Sequence, residues 1–463
     1  MTSPPPYFFP DYAKDHPDFV AEVFRHEGRK EAALRRIAQT SNRDTQRLLI
    51  LRFLGDGNLK LLYLLKSVQA KRRLSTHPPE TMRELASRMT ATYHFAEHVR
   101  MKTVRPAPHK RRRTTYDFGP GKHALQSMVA DVIRAMFPLP SGRHFTLNGG
   151  VKAALKAVNE HAQQGFVHGI ERDIEHFYPS VNLEGLAKLL RPLPGSVVRN
   201  VIGYRHGDTG STDMHPAEAI DDAPLPPRGL LAQGSAASPA AAEVLVANLL
   251  QGMPDDVCVM SYADNILILG ENISSVEAAD AFLVGRASDY EYGSLGLKQR
   301  KQCVITDPSG INFVGHDGYW NGERIQWMPD IAATNHILQA IELSTDEREG
   351  ALDRVRDAIQ HLHHWRRGYV WEDGNEETER YIAQLWAKLA FNAPRLSREY
   401  IRAMRSVTAY CQRHLKRHGE YPDIADLLPD FVDPHERFGK RPTFIRDIEQ
   451  RLGIFVVDEE TAT

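Results

Sequence analysis

Cysteine is scarce: three residues in a chain of 463, Cys258, Cys303 and Cys411, each far from the next. That spacing excludes a disulfide framework and a cysteine-based zinc site. No run of 18 apolar residues occurs, so no membrane partner is expected, and the first residues lack a signal-peptide pattern, which predicts a cytoplasmic protein. No internal repeat is evident. Excess charge is missing as well, since 58 Lys/Arg face 59 Asp/Glu for a net charge of −1. What the average conceals is segregation. Arg100 to Arg113 holds seven basic residues and no acid, Lys71-Arg72-Arg73 forms a second cluster, and Arg413-His414-Leu415-Lys416-Arg417-His418 a third. Such patches suit a polyanion, although a charge run is also what a solvated face looks like. A hydrophobic content of 42% and a charged content of 25% are those of a globular protein with substantial cores.

What is present is a set of short apolar strands that end in acids. Val257-Cys258-Val259-Met260-Ser261 and Ile266-Leu267-Ile268-Leu269 flank Tyr262-Ala263-Asp264-Asn265, the pattern of a hairpin with a polar tip, and Gly270 closes it. Phe166 to Asp173 reads as a partner strand carrying a second acid, 91 residues before Asp264. Paired side by side, Asp173 and Asp264 would share divalent cations, and two such ions can activate a hydroxyl and stabilise a departing pyrophosphate oxygen. Hard oxygen ligands suit Mg²⁺ or Mn²⁺. Between the two strands, Leu231-Ala232-Gln233-Gly234-Ser235 leads into Ser238-Pro239, a helix start followed by Ala240 to Leu245. Singly, each segment is an ordinary turn or cap. The three in this order are not explained that way.

Together these motifs resemble the reverse transcriptases. The resemblance spans roughly residues 110–316 and is specific for the superfamily rather than for a branch of it. It implies an α+β right-hand polymerase: a helical N-terminal extension (1–100), fingers (101–165), a palm with the catalytic motifs (166–325) and a helical thumb or C-terminal domain (326–463). It implies that Asp173 and Asp264 bind metal, with the backbone carbonyl of Ile174 as a further ligand. Tyr178, five residues after Asp173, would be the steric gate that favours deoxynucleotides, with ordinary packing as the other reading. Gln233 and Gly234 would lie against the incoming nucleotide and the template base. In Lys110-Arg111-Arg112-Arg113, Arg113 is the choice for the nucleotide phosphates, with template phosphates as the alternative for the run. Lys301, in Leu297-Lys298-Gln299-Arg300-Lys301, would face the triphosphate as a general acid or be a solvated lysine. Ile311 to His316 resembles the hairpin that grips a primer.

The family's usual second acid is replaced here by Asn265. Asn keeps an oxygen ligand and loses a charge, so weaker metal affinity with a leaning to Mn²⁺ is expected. Compact spacing, without a ribonuclease H or endonuclease segment, resembles the bacterial retron, abortive-infection and defence-associated type. The implied partners are an RNA template, a DNA product and dNTPs. A non-coding RNA, a second subunit and self-association stay open. Untemplated or protein-primed DNA synthesis, ribonucleotide polymerisation and a catalytically degenerate RNA-binding scaffold are the rival functions.

Outside the motifs, apolar periodicity predicts helices over Ala21–Ile37, Thr45–Leu65 and Glu80–Arg100. Leu352, Val355, Ile359 and Leu362 make a later helical stripe, entered through Thr345-Asp346. His361, His363 and His364 lie on it without a carboxylate at ligand spacing. The Gly-, Asp- and Pro-rich stretch 204–228 reads as a loop.

Overall fold

The computed structural model describes residues 15–70, 78–93, 95, 97, 99–104, 113–140, 142–203, 231–293, 295–330, 355, 356, 358, 359, 362, 376–393, 397–423, 427 and 443–453. The expectations for residues 71–73, 110–112, 204–228, 345–346, 352, 361, 363 and 364 lie outside them. The chain divides into two units, Met1–Ser309 and Gly310–Thr463. Its elements mix helix and sheet. Among the described residues no helix is long and apolar enough to cross a membrane.

Among the described residues the first unit begins with five helices: α1 (Pro17–Phe24), α2 (Glu27–Gln39), α3 (Arg43–Gly55), α4 (Gly57–Ala70) and α5 (Pro79–Arg88). The expected boundaries shift. The first and second periodic runs are broken at Arg25-His26 and at Asp56, each a helix end. The third stops at Arg88 because Met89 turns extended (ψ 130°), and Val99–Val104 is strand β1, not helix. The stretch between them, rich in Thr, Tyr and Phe, favours extended backbone over helix.

Helix α4 carries Leu59, Leu61, Leu62, Leu64, Leu65 and Val68 in the core, so it is apolar nearly all round and sits inside. It packs on α6 (Pro120–Met136), which follows strand β2 (Arg113–Phe118) and buries Leu125, Met128, Val129, Val132 and Ile133. The Tyr63 hydroxyl donates to Asp131 across that contact, and Lys60 Nζ donates to the Met89 carbonyl at 2.6 Å. A single core runs from α1 through α6 to the sheet and helices that follow.

That sheet has the order β4-β5-β3-β6, with all neighbours antiparallel. Its strands are β3 (His168–Ile174), β4 (Val257–Tyr262), β5 (Asn265–Gly270) and β6 (Leu297–Val304). Alternation decides the faces. Ile170, Ile174, Ile266, Ile268, Val257 and Val259 enter the common core, on which α10 (Ile273–Ser288) packs. Arg172 on that face forms a bidentate pair with Asp280 of α10, Nε to Oδ1 at 2.6 Å. Gly169, Glu171 and Asp173 point the other way. Helix α7 (Gly150–Gln163) precedes β3, and α8 (Leu183–Leu189) and α9 (Ser238–Leu249) lie between β3 and the hairpin.

The second unit contains a meander, β7 (Ile311–Phe313), β8 (His316–Trp320) and β9 (Ile325–Pro329). The hairpin expected at Ile311 to His316 forms, with Val314 and Gly315 both at positive φ (44° and 78°). Helices α11 (Glu376–Asn392), α12 (Arg398–His418) and α13 (Thr443–Leu452) enclose a core around Trp386, Met404, Val407 and Cys411, joined by Val355, Ile359 and Leu362 of the expected stripe. Ser397 caps α12 by accepting the Tyr400 N–H at 3.1 Å, and Gly419 ends it at φ 80°.

Candidate active site

The two acids meet because of strand register. Asp173 lies opposite Asn265 on β5, and Tyr262 opposite Asn265 closes a two-residue turn made of Ala263 and Asp264. The Ile174 N–H donates to the Asp264 carbonyl at 2.9 Å, and the Glu175 N–H to the Gly296 carbonyl at 2.8 Å. The end of β3 is therefore tied on one side to the hairpin tip and on the other to the approach of β6. Asp173, Ile174, Asp264 and Asn265 form one cluster at the sheet's end, with both acids and Asn265 half-buried.

Two residues beside the acids adopt the left-handed region without being glycine: Ala263 at φ 53° and His176 at φ 49°. Each such residue costs about 1–3 kcal/mol and persists only where its surroundings fix it. For Ala263 the fixing is visible. Its N–H donates to Thr146 Oγ1 at 2.7 Å. The segment around Thr146 lies along the free edge of β4, where the Ser261 N–H donates to the Arg143 carbonyl at 2.7 Å and the Phe145 N–H to the Ser261 carbonyl at 3.0 Å. Beneath the turn, His144 Nδ1 and Ser261 Oγ share a hydrogen bond at 2.8 Å. Burial, and secondarily the charge of Arg143, pulls the His144 imidazole down to about 4, so it is neutral there at pH 7.

Tyr178 follows the turn after β3, half-buried against the core and 5.8 Å from the Phe177 ring. Burial first, then the neighbouring Asp264 carboxylate, pushes its phenol up to about 12. The hydroxyl thus stays protonated and within electrostatic range of the hairpin acid.

Asn265 donates through Nδ2 to Asp264 Oδ1 at 3.2 Å and to the Tyr262 carbonyl at 3.4 Å. Its Oδ1 is buried and has no hydrogen-bond donor among the described residues. A second acid at this position would repel Asp264; the amide braces it instead. The donor set, two carboxylates with backbone and amide oxygens, is all hard oxygen and fits Mg²⁺ or Mn²⁺. Among the described residues no group of three His, Cys, Asp or Glu side chains converges as a metal cage. A site of this kind relies on substrate phosphates to complete the shell.

Gln233 and Gly234 dock on the strand pair β1–β2. The Tyr116 N–H donates to the Gln233 carbonyl at 2.8 Å, and Ser238 Oγ donates to the Ala232 carbonyl at 2.8 Å. Gly234 sits at φ 105°, where a Cβ would come within 2.3 Å of the Tyr116 carbonyl oxygen. Only glycine permits that approach. Arg113 begins β2, three residues before Tyr116.

Lys301 lies opposite Glu171, one same-face step back from the sheet's end, and is exposed. The lysine opposite Asp173 is Lys298. A bulge between Glu171 and Arg172 in the β3–β6 register puts both lysines on the face of the acids although they are three residues apart. Strict alternation in the sequence hides this. Thr146, His144 and the buried Glu243 were likewise missed; nothing local in the sequence marks them.

No protein-family model matches the chain, and no curated protein does. Among solved structures, telomerase from Candida albicans in complex with a fragment of telomeric RNA is similar over 81% of this chain and 71% of its own, at 12% identity and a TM-score of 0.35. The Sicinivirus 3Dpol RNA-dependent RNA polymerase is similar over 81% and 72%, at 9% identity and a TM-score of 0.35. At that similarity neither structure bears on function, which rests on the site itself.

Proposed function

We propose that this chain is an RNA-directed DNA polymerase of the compact bacterial type, acting in antiviral defence. The observation that carries the reading is the register placing Asp173 opposite Asn265, with the Ile174 N–H bonded to the Asp264 carbonyl at 2.9 Å. Two carboxylates from separate strands are thereby held at one point on a rigid sheet end. Divalent ions bound there would activate a primer 3′-hydroxyl and stabilise the leaving pyrophosphate. Asp173, Asp264 and the Ile174 carbonyl hold them, and Asn265 braces Asp264.

Tyr178 is the gate against a ribose 2′-hydroxyl. Gln233 and Gly234 form the wall against the nucleotide and template base, Arg113 binds nucleotide phosphates, and Lys301 meets the pyrophosphate. In this reading residues 101–165 act as fingers, 166–325 as palm and the helices after 330 as thumb. RNA template, DNA product and dNTPs are the partners.

The test is polymerisation by the purified protein with each dNTP or NTP, under Mg²⁺ or Mn²⁺, with Asp264→Ala alongside. DNA synthesis that the variant abolishes supports the reading, and the product's sequence names the template. Product without template dependence favours untemplated or protein-primed synthesis. A biological effect that survives Asp264→Ala favours the scaffold.

A further inference from the structure

Ala263 holds the hairpin turn in a conformation that alanine disfavours, so something outside the hairpin has to keep it there. Its N–H donates to Thr146 Oγ1, 117 residues away, at 2.7 Å. Thr146 is itself held. The strand-like segment around it pairs with Ser261, Asn148 Nδ2 donates to the His144 carbonyl at 3.0 Å, and the Gly150 N–H donates to the Phe145 carbonyl at 2.9 Å.

Behind Thr146 stands Glu243, 4% exposed. Its Oε1 accepts the Leu147 N–H at 3.2 Å, its Oε2 is buried with no partner among the described residues, and burial holds the carboxyl above its usual range. The bond from Leu147 fixes the backbone of the residue next to Thr146, which lets the segment join Ala263 to Glu243. Glu243 lies in α9, and α9 starts at Ser238, whose hydroxyl clamps the Gln233-Gly234 loop through the Ala232 carbonyl.

We propose that Thr146 and Glu243 are positioning residues: a buried polar strut that sets the catalytic turn and couples it to the loop facing the nucleotide. The strut runs from the Ala232–Gly234 loop through α9 and Glu243 to Thr146, then to Ala263 and Asp264. Its catalytic consequence rests on the polymerase reading; its mechanical part does not. A buried acid is costly, the more so with one oxygen unpaired, and it is retained here where its other oxygen ties two separate segments together.

The experiment compares Thr146→Val, which keeps shape and loses the acceptor, with Thr146→Ser, which restores it. Amide hydrogen exchange across residues 257–270 and Mn²⁺ affinity by electron paramagnetic resonance are read on the full chain. Loss of a supporting hydrogen bond behind a metal ligand typically weakens metal binding or activity about 10–100-fold. Thr146→Val should weaken Mn²⁺ binding by that factor and speed exchange in the turn, with Thr146→Ser near wild type and the KM for template–primer unchanged. Glu243→Leu, which removes the acceptor of the Leu147 N–H, should speed turn exchange about fivefold, the equivalent of about 1 kcal/mol. It keeps the test open if Thr146→Val does not fold. Exchange and Mn²⁺ affinity equal to wild type in a folded variant would overturn the strut. A wild type that binds Mn²⁺ and makes no polynucleotide would overturn the polymerase reading while leaving the strut measurable.

Discussion

Acid should loosen the hairpin that carries Asp264 through one residue, His144. Its imidazole is 3% exposed, bonded to Ser261 and pulled down to about 4 by burial and by Arg143. The free residue titrates near 6.5. Because folding lowers this affinity, the unfolded chain takes up the proton first as pH falls. The resulting stabilisation is whole above pH 6.5 and is lost progressively between 6.5 and 4. A gap of 2.5 units at 1.36 kcal/mol each gives about 3 kcal/mol, of which about 2 kcal/mol is gone by pH 5. Against a total stability of about 5–15 kcal/mol that is a large share. All five tryptophans follow residue 310, in the second unit, so their fluorescence reports the wrong part of the chain. Hydrogen exchange of residues 257–270, corrected for its intrinsic pH dependence, reports the right one. His144→Asn keeps an acceptor toward Ser261 and cannot titrate. Its hairpin should hold its opening free energy from pH 7 to 5 while wild type loses about 2 kcal/mol. Parallel curves to within about 0.5 kcal/mol would refute the assignment.

Three other perturbations separate the parts of the site. Asn265→Asp replaces the amide that donates to Asp264 with a third charge, and should lower the Mg²⁺ concentration needed for half-maximal synthesis about tenfold in a metal titration. Gly234→Ala forces a Cβ against the Tyr116 carbonyl at φ 105°; a loss of about 2–4 kcal/mol in urea unfolding, with faster exchange over 231–237 and a raised nucleotide KM, is expected. Arg172→Met strands Asp280 in the core and should cost about 3–5 kcal/mol, most of it recovered in Arg172→Met with Asp280→Leu when the thermal midpoints are compared.

The hairpin was legible because its evidence is local. Two apolar β-rich runs and a polar tip lie within fourteen residues, and β3 needs only its own alternation and a terminal acid. The meeting of Asp173 with Asp264 was expected from motif order, and the register sets Asp173 opposite Asn265, the residue after Asp264. What stayed hidden depends on distance or on a break in regularity. The Thr146–Ala263 bond spans 117 residues, Glu243 reads in the sequence as one more helix former, and Lys298 reaches the acids' face through a bulge that no residue type announces. The helix read through to Arg100 failed for a related reason: its apolar spacing persists past Met89, where the backbone has already turned extended.

The bulge in β6 gives this strand an odd–even parity that changes partway along its length. Residues from Lys301 onward keep one phase with β3, and Lys298 and Gln299 keep the other. Deleting Arg300 alone would remove the bulge and keep every pair, with Lys301 opposite Glu171, Gln299 opposite Arg172 and Lys298 opposite Asp173. A strand that kept Arg300 and paired without the bulge would bring Gln299 opposite Asp173. The one extra residue thus decides whether a cation or an amide stands at the mouth of the acid cluster, while the pairs from Lys301 onward are the same either way. The bulge therefore acts on the acid cluster as a substitution would, by choosing which side chain of β6 faces Asp173.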